Sequence, residues 1–352
     1  MENHIVDLHL SDRATRQKWQ QFLESLGIHN FSDAEVDKID FTLGLLDEQG
    51  QLVGTGSAAG NVLKYIGVCN KEAVPGARFN AIVSALTNRL FQEHRFHLFV
   101  FTKARYSASF QHLGFKELAH SDAAFLETGD PNVDDYLAAV PRVDGQATKK
   151  VAGIVMNANP FTNGHRYLVE QAAKENDLVY VFVVNTDLSL FKTSERFELV
   201  KAGTADLKNV IVVDGGDYMV SYATFPAYFL ESADQTIRYQ TTLDARVFRD
   251  TIAPALNIKT RYVGSEPLSR TTGIYNQVLQ QELPPKVALK IIERKTATNG
   301  NYITATEVRK CINDDNLDAI VGLVPATTQK FVEDHVAILQ ERIKEGMNIN
   351  GN

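Results

Sequence analysis

A histidine at the predicted start of a helix is the first residue that suggests chemistry. It lies in Asn157–Ala172 (NANPFTNGHRYLVEQA), after an apolar strand and an Asn-Gly pair, and apolar residues recur at helical spacing behind it. The first-turn amides of a helix lack intrahelical partners, and with the helix dipole they bind anions, above all phosphate. Gly164 lets the backbone approach such a ligand, and His165 adds a donor. The alternative is a hairpin turn at Asn163-Gly164, but no second strand follows it.

A second helix start with polar residues lies in NYITATEVRK, near the end of the chain. Thr304 precedes Glu307 by three residues, which is a capping-box pattern. Thr306 then falls in the first turn and Arg309 one turn further on, so a hydroxyl and a guanidinium are available to bind phosphate. The alternative is an ordinary capped helix with an exposed arginine.

Length and composition narrow the class of protein. The 352 residues suffice for about two domains, and 36 Lys and Arg against 43 Asp and Glu give a net charge of −7. With no long basic run, we expect no nucleic-acid partner. The longest apolar run, Leu178–Val184, is far shorter than a membrane span, and the N-terminus has no signal-peptide pattern, so we expect a cytoplasmic protein with no membrane partner. Cys69 and Cys311 alone form neither a disulfide framework nor a thiolate metal cluster.

The order of predicted elements divides the chain. We take the polar segment 141–150 as a linker between a domain at 1–140 and a domain at 151–352. The first begins with a helical pattern and continues with the strand-like runs FTLGLL, QLVGTGS and VLKYIGV, which is an α+β order. The second alternates strand and helix up to TRYVGS, which predicts an α/β fold with a doubly wound parallel sheet. Ligands bind beyond the carboxyl ends of such strands, where NANPFTNGH and VGSEP lie.

The two helix starts together resemble the signatures of the nucleotidyltransferase superfamily that carries an HxGH motif. Residues 159–165 (NPFTNGH) and 303–309 (ITATEVR) agree with those signatures in order and spacing, although Asn159 replaces an aspartate and Thr162 replaces the first histidine. The resemblance implies attack on the α-phosphate of ATP, with His165, Thr162 and Arg309 stabilising the transition state. The ATP-binding residues that it implies, or that lie near the expected ligand, are Asn159, Pro160, Phe161, Gly164, Lys192, Arg196, Gly264, Ser265 and Thr306.

Some of these assignments have open alternatives. Lys192 and Arg196 either meet the phosphates or lie on a solvated helix, and Gly264 and Ser265 lie where the superfamily holds the adenosine moiety. The resemblance implies Mg²⁺ on the triphosphate, held mostly by phosphates and water, and therefore no protein metal site. It implies no tightly bound prosthetic group.

Three longer stretches are similar to the citrate lyase ligase family: GGDYMVSYATFPAYFL, YVGSEPLSRTTGIYNQVL and, in the first domain, FTKARYSASFQHLGFKEL. The similarity implies that acetate attacks ATP to form acetyl-adenylate. The thiol of a phosphoribosyl-dephospho-coenzyme A group, carried by the acyl carrier (γ) subunit of citrate lyase, then takes the acetyl group. ATP, acetate and that subunit are the expected partners.

The first domain resembles the GNAT acetyltransferase fold. The segment corresponding to the pyrophosphate-binding loop of that fold, residues 71–78, keeps one glycine. Gly76, Ala77 and Arg78 either receive the coenzyme A-like arm of the carrier or belong to a scaffold that only docks the partner. Two competing functions are a GNAT acetyltransferase acting on an amine, with a nucleotide-sensing second domain, and a nucleotide-binding adaptor of a lyase complex.

Overall fold

The computed structural model describes residues 4–71, 73–185, 189–219, 233–265, 270–296 and 300–350. Its contacts divide the chain into two compact units. The first comprises Met1–Tyr136 and Phe225–Tyr239, and the second comprises Leu137–Thr224 and Gln240–Asn352. The predicted limits of the domains stay a prediction, but segment 141–150 does not extend freely. Gln146 donates to the carbonyl of Leu256 at 2.7 Å and the Tyr180 hydroxyl donates to the carbonyl of Pro141 at 2.6 Å, so the segment packs on the second unit.

The first unit is a mixed α+β unit built on a seven-stranded sheet in the order β1-β2-β3-β4-β5-β7-β6. Its strands are β1 (His4–Asp7), β2 (Phe41–Leu46), β3 (Leu52–Ala59), β4 (Val62–Val68), β5 (His97–Lys103), β6 (Lys116–His120) and β7 (Ala123–Gly129). The helices in this part of the chain are α1 (Arg13–Ser25), α2 (Asp33–Val36), α3 (Ala77–Gln92), α4 (Ser107–Gln111) and α5 (Val133–Ala139). The three predicted strands are confirmed as β2, β3 and β4. The parallel pair β4–β5 is matched at two positions, Val62 with Phe99 and Leu63 with Val100.

The second unit contains the predicted doubly wound parallel sheet, in the order β10-β9-β8-β11-β12. Its strands are β8 (Val151–Met156), β9 (Leu178–Val183), β10 (Val210–Asp214), β11 (Ile258–Gly264) and β12 (Ala288–Ile292). The helices in this part of the chain are α6 (Asn163–Glu175), α7 (Thr193–Gly203), α8 (Ala233–Val247), α9 (Ala253–Ala255), α10 (Arg270–Glu282), α11 (Ala305–Asn313) and α12 (Ala326–Lys344). A π-helix, Phe248–Ile252, joins α8 to α9. Every residue of β9 is buried, as expected of a parallel strand that is covered on both faces.

The core of the second unit positions the loop after β8. Phe161 in that loop is fully buried and lies against Gly203 at the end of α7. A Cβ atom at position 203 would lie 2.6 Å from Cε1 of Phe161, which is closer than packed carbon atoms approach. The glycine therefore allows the loop and α7 to pack in contact.

We expect Gly203→Ala to lower the free energy of unfolding by about 1–3 kcal/mol, because the added methyl overpacks this contact. Phe161→Leu in the same chain should recover part of the loss, and urea unfolding of the two single variants and the double variant measures the coupling. Gly273→Ala in α10 is the control, since no atom of the described part of the chain lies within 4 Å of a Cβ there. Equal effects of the two alanine substitutions would contradict the packing argument.

Candidate active site

A cavity of about 670 Å³ lies at the carboxyl ends of the strands of the second sheet. Its walls come from the ends of β8, β11 and β12 and from the first turns of α6 and α11. The chain passes from β8 to β9 on one side of the sheet, whereas β11 lies on the other side of β8, so this is the topological switch point where such sheets bind ligands. Seven of the residues predicted from the sequence line it: Asn159, Thr162, Gly164, His165, Gly264, Thr306 and Arg309.

His165 is held as a neutral hydrogen-bond donor. The backbone N–H of Thr162 donates to its Nδ1 at 3.1 Å, so Nδ1 accepts and the ring proton must lie on Nε2. Burial, and then the positive charges of Arg294 and Arg309, lower the pKa of His165 to about 4. At neutral pH the side chain thus has an N–H to offer a ligand and no positive charge.

The start of α6 keeps fewer amides for a ligand than the sequence predicted. The amide of Asn163 donates to the carbonyl of Leu323 at 2.8 Å, that of His165 to Oγ1 of Thr162 at 3.3 Å, and that of Arg166 to the carbonyl of Thr162 at 3.0 Å. Within the described part of the chain, no such bond is recorded for the amide of Gly164, which borders the cavity. The helix therefore presents one amide beside His165.

Thr162 is the N-cap of α6 and its hydroxyl is engaged locally. Its Oγ1 accepts the His165 amide and lies 2.9 Å from Nδ1 of the same residue, and its side chain is buried. The sequence predicted that this hydroxyl would face the phosphates. The structure instead directs it to the helix start and the imidazole.

Arg309 connects the two predicted helix starts. Its Nη1 donates to the carbonyl of Asn159 at 2.5 Å, its Nη2 to Oγ1 of Thr306 at 3.0 Å and its Nε to the carbonyl of Ile349 at 3.1 Å. Only 1% of the residue is exposed, and burial lowers the pKa of its guanidinium to about 10, so it stays charged at neutral pH. The predicted alternative of an exposed arginine is wrong. The start of α11 is as predicted, because Oγ1 of Thr304 accepts the amide of Glu307.

The loop after β8 contacts Phe191, Arg309 and His165, and so holds residues of the cavity wall in place. Oδ1 of Asn159 accepts the amide of Phe191 at 3.1 Å, while its carbonyl accepts from Arg309. The peptide bond from Asn159 to Pro160 is cis, and Pro160 and Phe161 are buried outside the cavity wall. The ring of Phe161 stacks on that of His165, with centroids 5.9 Å apart. Pro160 and Phe161 therefore support the imidazole and do not border the cavity.

Two predicted phosphate contacts lie elsewhere. Arg196 is fully buried, and its guanidinium donates to the carbonyls of Asn157, Val184 and Phe191 at 2.7–3.1 Å, which holds the ends of β8 and β9 to the start of α7. Lys192 is exposed at the N-cap of α7. Neither residue borders the cavity. Buried carbonyls require donors, which accounts for the position of Arg196.

The cavity wall also contains three cationic residues that were not predicted from the sequence, Arg294, Lys295 and Lys310. Arg294 and Lys295 follow β12, the fifth parallel strand, whose end lies at the same edge of the sheet as that of β11. Residues 293–295 (Glu-Arg-Lys) directly follow the short apolar run of β12. That run was the sequence signal for a further strand whose end would lie at the cavity. With Arg309, four cations line the cavity against two carboxylates, Glu293 and Glu307.

Ser265 positions one of these cations. Its hydroxyl accepts the backbone amide of Arg294 at 3.1 Å, and its carbonyl accepts Nε of Arg294 at 2.9 Å. Gly264 borders the cavity directly, whereas Ser265 does not. Glu266 and Pro267 of the VGSEP segment lie outside the described residues, as do residues 220–230 of the stretch GGDYMVSYATFPAYFL.

In the first unit, Gly76 is the N-cap of α3, with a φ of 78° that favours glycine. Ala77 opens the helix. Arg78 is 6% exposed and donates to the carbonyls of Cys69 and Lys71, so its side chain supports the preceding loop. Glu72 of the predicted loop lies outside the described residues.

Among the described residues, no group of three or more His, Cys, Asp or Glu side chains is arranged to hold a metal ion. No helix among them is long and apolar enough to cross a membrane.

The chain is similar to known proteins in sequence and in structure. A family model described as the citrate lyase ligase C-terminal domain matches residues 151–332. The chain is 32% identical over 329 residues to the citrate (pro-3S)-lyase ligase of Escherichia coli (strain K12), covering 92% of this chain and 93% of that protein. It is 34% identical over 332 residues to the protein of the same name from Klebsiella pneumoniae, covering 92% and 94%. Thermotoga maritima TmcAL, solved with alpha-thio ATP, aligns over 54% of this chain and 56% of its own at 14% identity, and its TM-score of 0.37 is too low to carry an argument.

The protonation of His165 is testable by nuclear magnetic resonance. Because its pKa is lowered from 6.5 to about 4, the ligand-free chain should keep a neutral imidazole as the pH falls from 8 to about 5. The unfolded chain binds this proton at higher pH, so this group's contribution to stability is complete above pH 6.5 and is lost as the pH falls toward 4. Added ATP should raise the pKa, because phosphate charge favours the imidazolium. The resonance is assigned by its loss in His165→Ala, and protonation between pH 6 and 7 in the ligand-free chain would contradict the assignment.

Proposed function

Because the chain belongs to the citrate lyase ligase family, and is therefore a ligase, we propose that it uses ATP and acetate to acetylate the thiol form of a citrate lyase. An acetate oxygen attacks the α-phosphorus of ATP, the bond to pyrophosphate breaks, and acetyl-adenylate forms. The thiol sulfur of the phosphoribosyl-dephospho-coenzyme A group on the acyl carrier (γ) subunit then attacks the acetyl carbon. The thiol loses its proton, AMP leaves, and a thioester remains.

The observation that carries this proposal is the set of donors around the cavity. Nε2–H of His165, the amide of Gly164 and the guanidinium of Arg309 all come from residues that line it. Negative charge shifts onto the phosphate oxygens as pyrophosphate leaves, and preorganised donors directed at that charge are worth several kcal/mol in a site that excludes water. A neutral imidazole suits this role because it stabilises the oxygen without giving up its proton.

Of the surrounding residues, we assign some to contact with ATP and others to positioning of the residues that contact it. We assign phosphate contact to Arg294 and Lys295, which also line the cavity, and nucleoside contact to Gly264. Thr162 and Arg196 act as positioning residues, because their polar atoms bond to the protein itself. We assign Lys192 no contact with ATP, because it is exposed and does not line the cavity.

Mg²⁺ enters this scheme with ATP. It prefers oxygen ligands and usually keeps several waters, with one or two carboxylates beside the phosphates. Glu293 and Glu307 line the cavity and fit that need. The ion neutralises part of the triphosphate charge, while the donors of the chain act on the remainder.

For the first unit we keep the proposal that the start of α3, Gly76 to Arg78, receives the coenzyme A-like arm of the carrier. The support is that Gly76 and Ala77 are exposed, although Arg78 is buried, at the N-terminus of a 16-residue helix, where a phosphate group would meet backbone amides. The alternative is that this segment only docks the carrier protein. Binding of the coenzyme A-like group without the carrier protein would support the first role, and no binding would support the second.

The chain should catalyse exchange of labelled pyrophosphate into ATP when acetate is present and the carrier is absent, because the adenylate forms first. Loss of one preorganised donor commonly costs about 10²–10³-fold in rate, so His165→Ala should reduce exchange by that order with a smaller change in ATP binding. His335→Ala, an exposed histidine on α12, is the control. Absence of acetate-dependent exchange would overturn the proposed order of steps, and a normal rate for His165→Ala would remove that residue from the mechanism.

Arg294→Gln should raise the concentration of pyrophosphate that half-saturates the exchange by about tenfold or more, because a charged hydrogen bond to phosphate is lost. Lys290→Gln removes a cation from the same strand region, but this side chain pairs with Glu175 outside the cavity and serves as the control. A parallel effect of both substitutions would show that net charge, rather than contact with Arg294, is responsible.

A further inference from the structure

Asn276 carries a buried acceptor beside the cavity. It lies on α10, lines the cavity and is 9% exposed. Its Nδ2 donates to the carbonyl of Gly264 at 3.1 Å, whereas its Oδ1 is buried and has no hydrogen-bond partner among the described residues. A buried polar atom without a partner costs stability, and such atoms in native proteins often mark a site completed by a ligand.

The orientation of this amide is determined by its neighbours. If the amide were flipped, Oδ1 would face the carbonyl oxygen of Gly264, and two acceptors would repel each other. Oδ1 is therefore the atom left for a ligand. No atom of the described residues lies within 4 Å of a Cβ built at Gly264, so none of them fills the space beside it. The neighbouring Tyr275 hydroxyl does not compete, because it bonds to Arg261 and Asp244.

The proposed reactants differ in what they can offer this acceptor. Acetate and the phosphates of ATP carry only acceptor oxygens at neutral pH, so they cannot pair with Oδ1. The nucleoside has neutral donors: the ribose 2′- and 3′-hydroxyls and the 6-amino group of adenine. Arg294, Lys295 and Arg309, to which contact with the phosphates is assigned above, also line the cavity.

We propose that Asn276 is a specificity-determining residue that accepts a hydrogen bond from the nucleoside of ATP, while the carbonyl of Gly264 holds its amide in place. The inference rests on the proposed function in one respect, that ATP is the nucleotide bound in this cavity. It adds the residue that recognises the nucleoside, and it assigns Asn276 no part in the transfer of the acyl group.

The first test needs no variant. Calorimetry measures binding of ATP, 2′-deoxy-ATP, 3′-deoxy-ATP and purine riboside triphosphate, which lacks the 6-amino group, to the full chain without acetate. One analogue should bind about tenfold or more weakly than ATP, because it leaves the buried acceptor unpaired. The weak analogue identifies the donor. If all three bind as tightly as ATP, the inference is overturned.

The second test is a cycle with Asn276→Leu, which has a similar size and no acceptor. ATP should bind this variant about tenfold more weakly, and the analogue that bound weakly to the unchanged chain should now bind as tightly as ATP does. Gln277→Leu, an exposed neighbour outside the cavity, should keep the original discrimination. Discrimination that survives in Asn276→Leu overturns the inference. Because binding is measured without acetate, a chain that binds ATP with this pattern but shows no pyrophosphate exchange refutes the proposed reaction alone, and a chain that does not bind ATP refutes both.

Discussion

The hydrogen bond from the buried guanidinium of Arg309 to the carbonyl of Asn159 determines the geometry of the second unit's site. It joins segments 150 residues apart, and it brings the start of α6 and the start of α11 to the same cavity. A buried charge is tolerated only when its donors are satisfied, and each nitrogen of this guanidinium has an acceptor. The close approach continues at Gly164, where a Cβ would lie 3.3 Å from the carbonyl oxygen of Ile303. The contacts of Gly164 and Arg309 with backbone carbonyls therefore hold the starts of α6 and α11 close together.

A second buried arginine, Arg196, also donates to backbone carbonyls, outside the cavity wall. Arg196 satisfies carbonyls at the ends of β8 and β9, where two parallel strands end and the chain turns away. Carbonyls at such an edge have no strand partner and would otherwise remain unpaired when buried. The two arginines thus use the same chemistry in different places: Arg309 borders the cavity, and Arg196 holds the loops on which the cavity is built. Lysine could not replace either one without loss of bonds, because it lacks the planar set of donors.

Local patterns in the sequence were sufficient for part of this arrangement. The N-cap at Thr304, the start of α6 and the strands β8 to β11 follow from capping residues and apolar periodicity, which act over a few residues. The environments of Arg196 and Arg294 depend on contacts with residues distant in sequence. An arginine near a helix start, such as Arg196, has the same local pattern whether it is buried or solvated. β12 was missed because it is an edge strand with exposed Lys290 and Ile291, so its apolar signal is weak. The alternation of strand and helix nevertheless placed the cavity at the correct edge of the sheet.

Thr162 shows how this design limits change over evolutionary time. One hydroxyl caps α6 and also contacts Nδ1 of His165, so the side chain at 162 affects both helix stability and the orientation of the imidazole. A histidine at 162, the residue in the superfamily signature, would add a second ring but remove a cap that is worth about 1 kcal/mol. Positions 162 and 165 are therefore epistatic: a substitution at the first changes which residues are acceptable at the second.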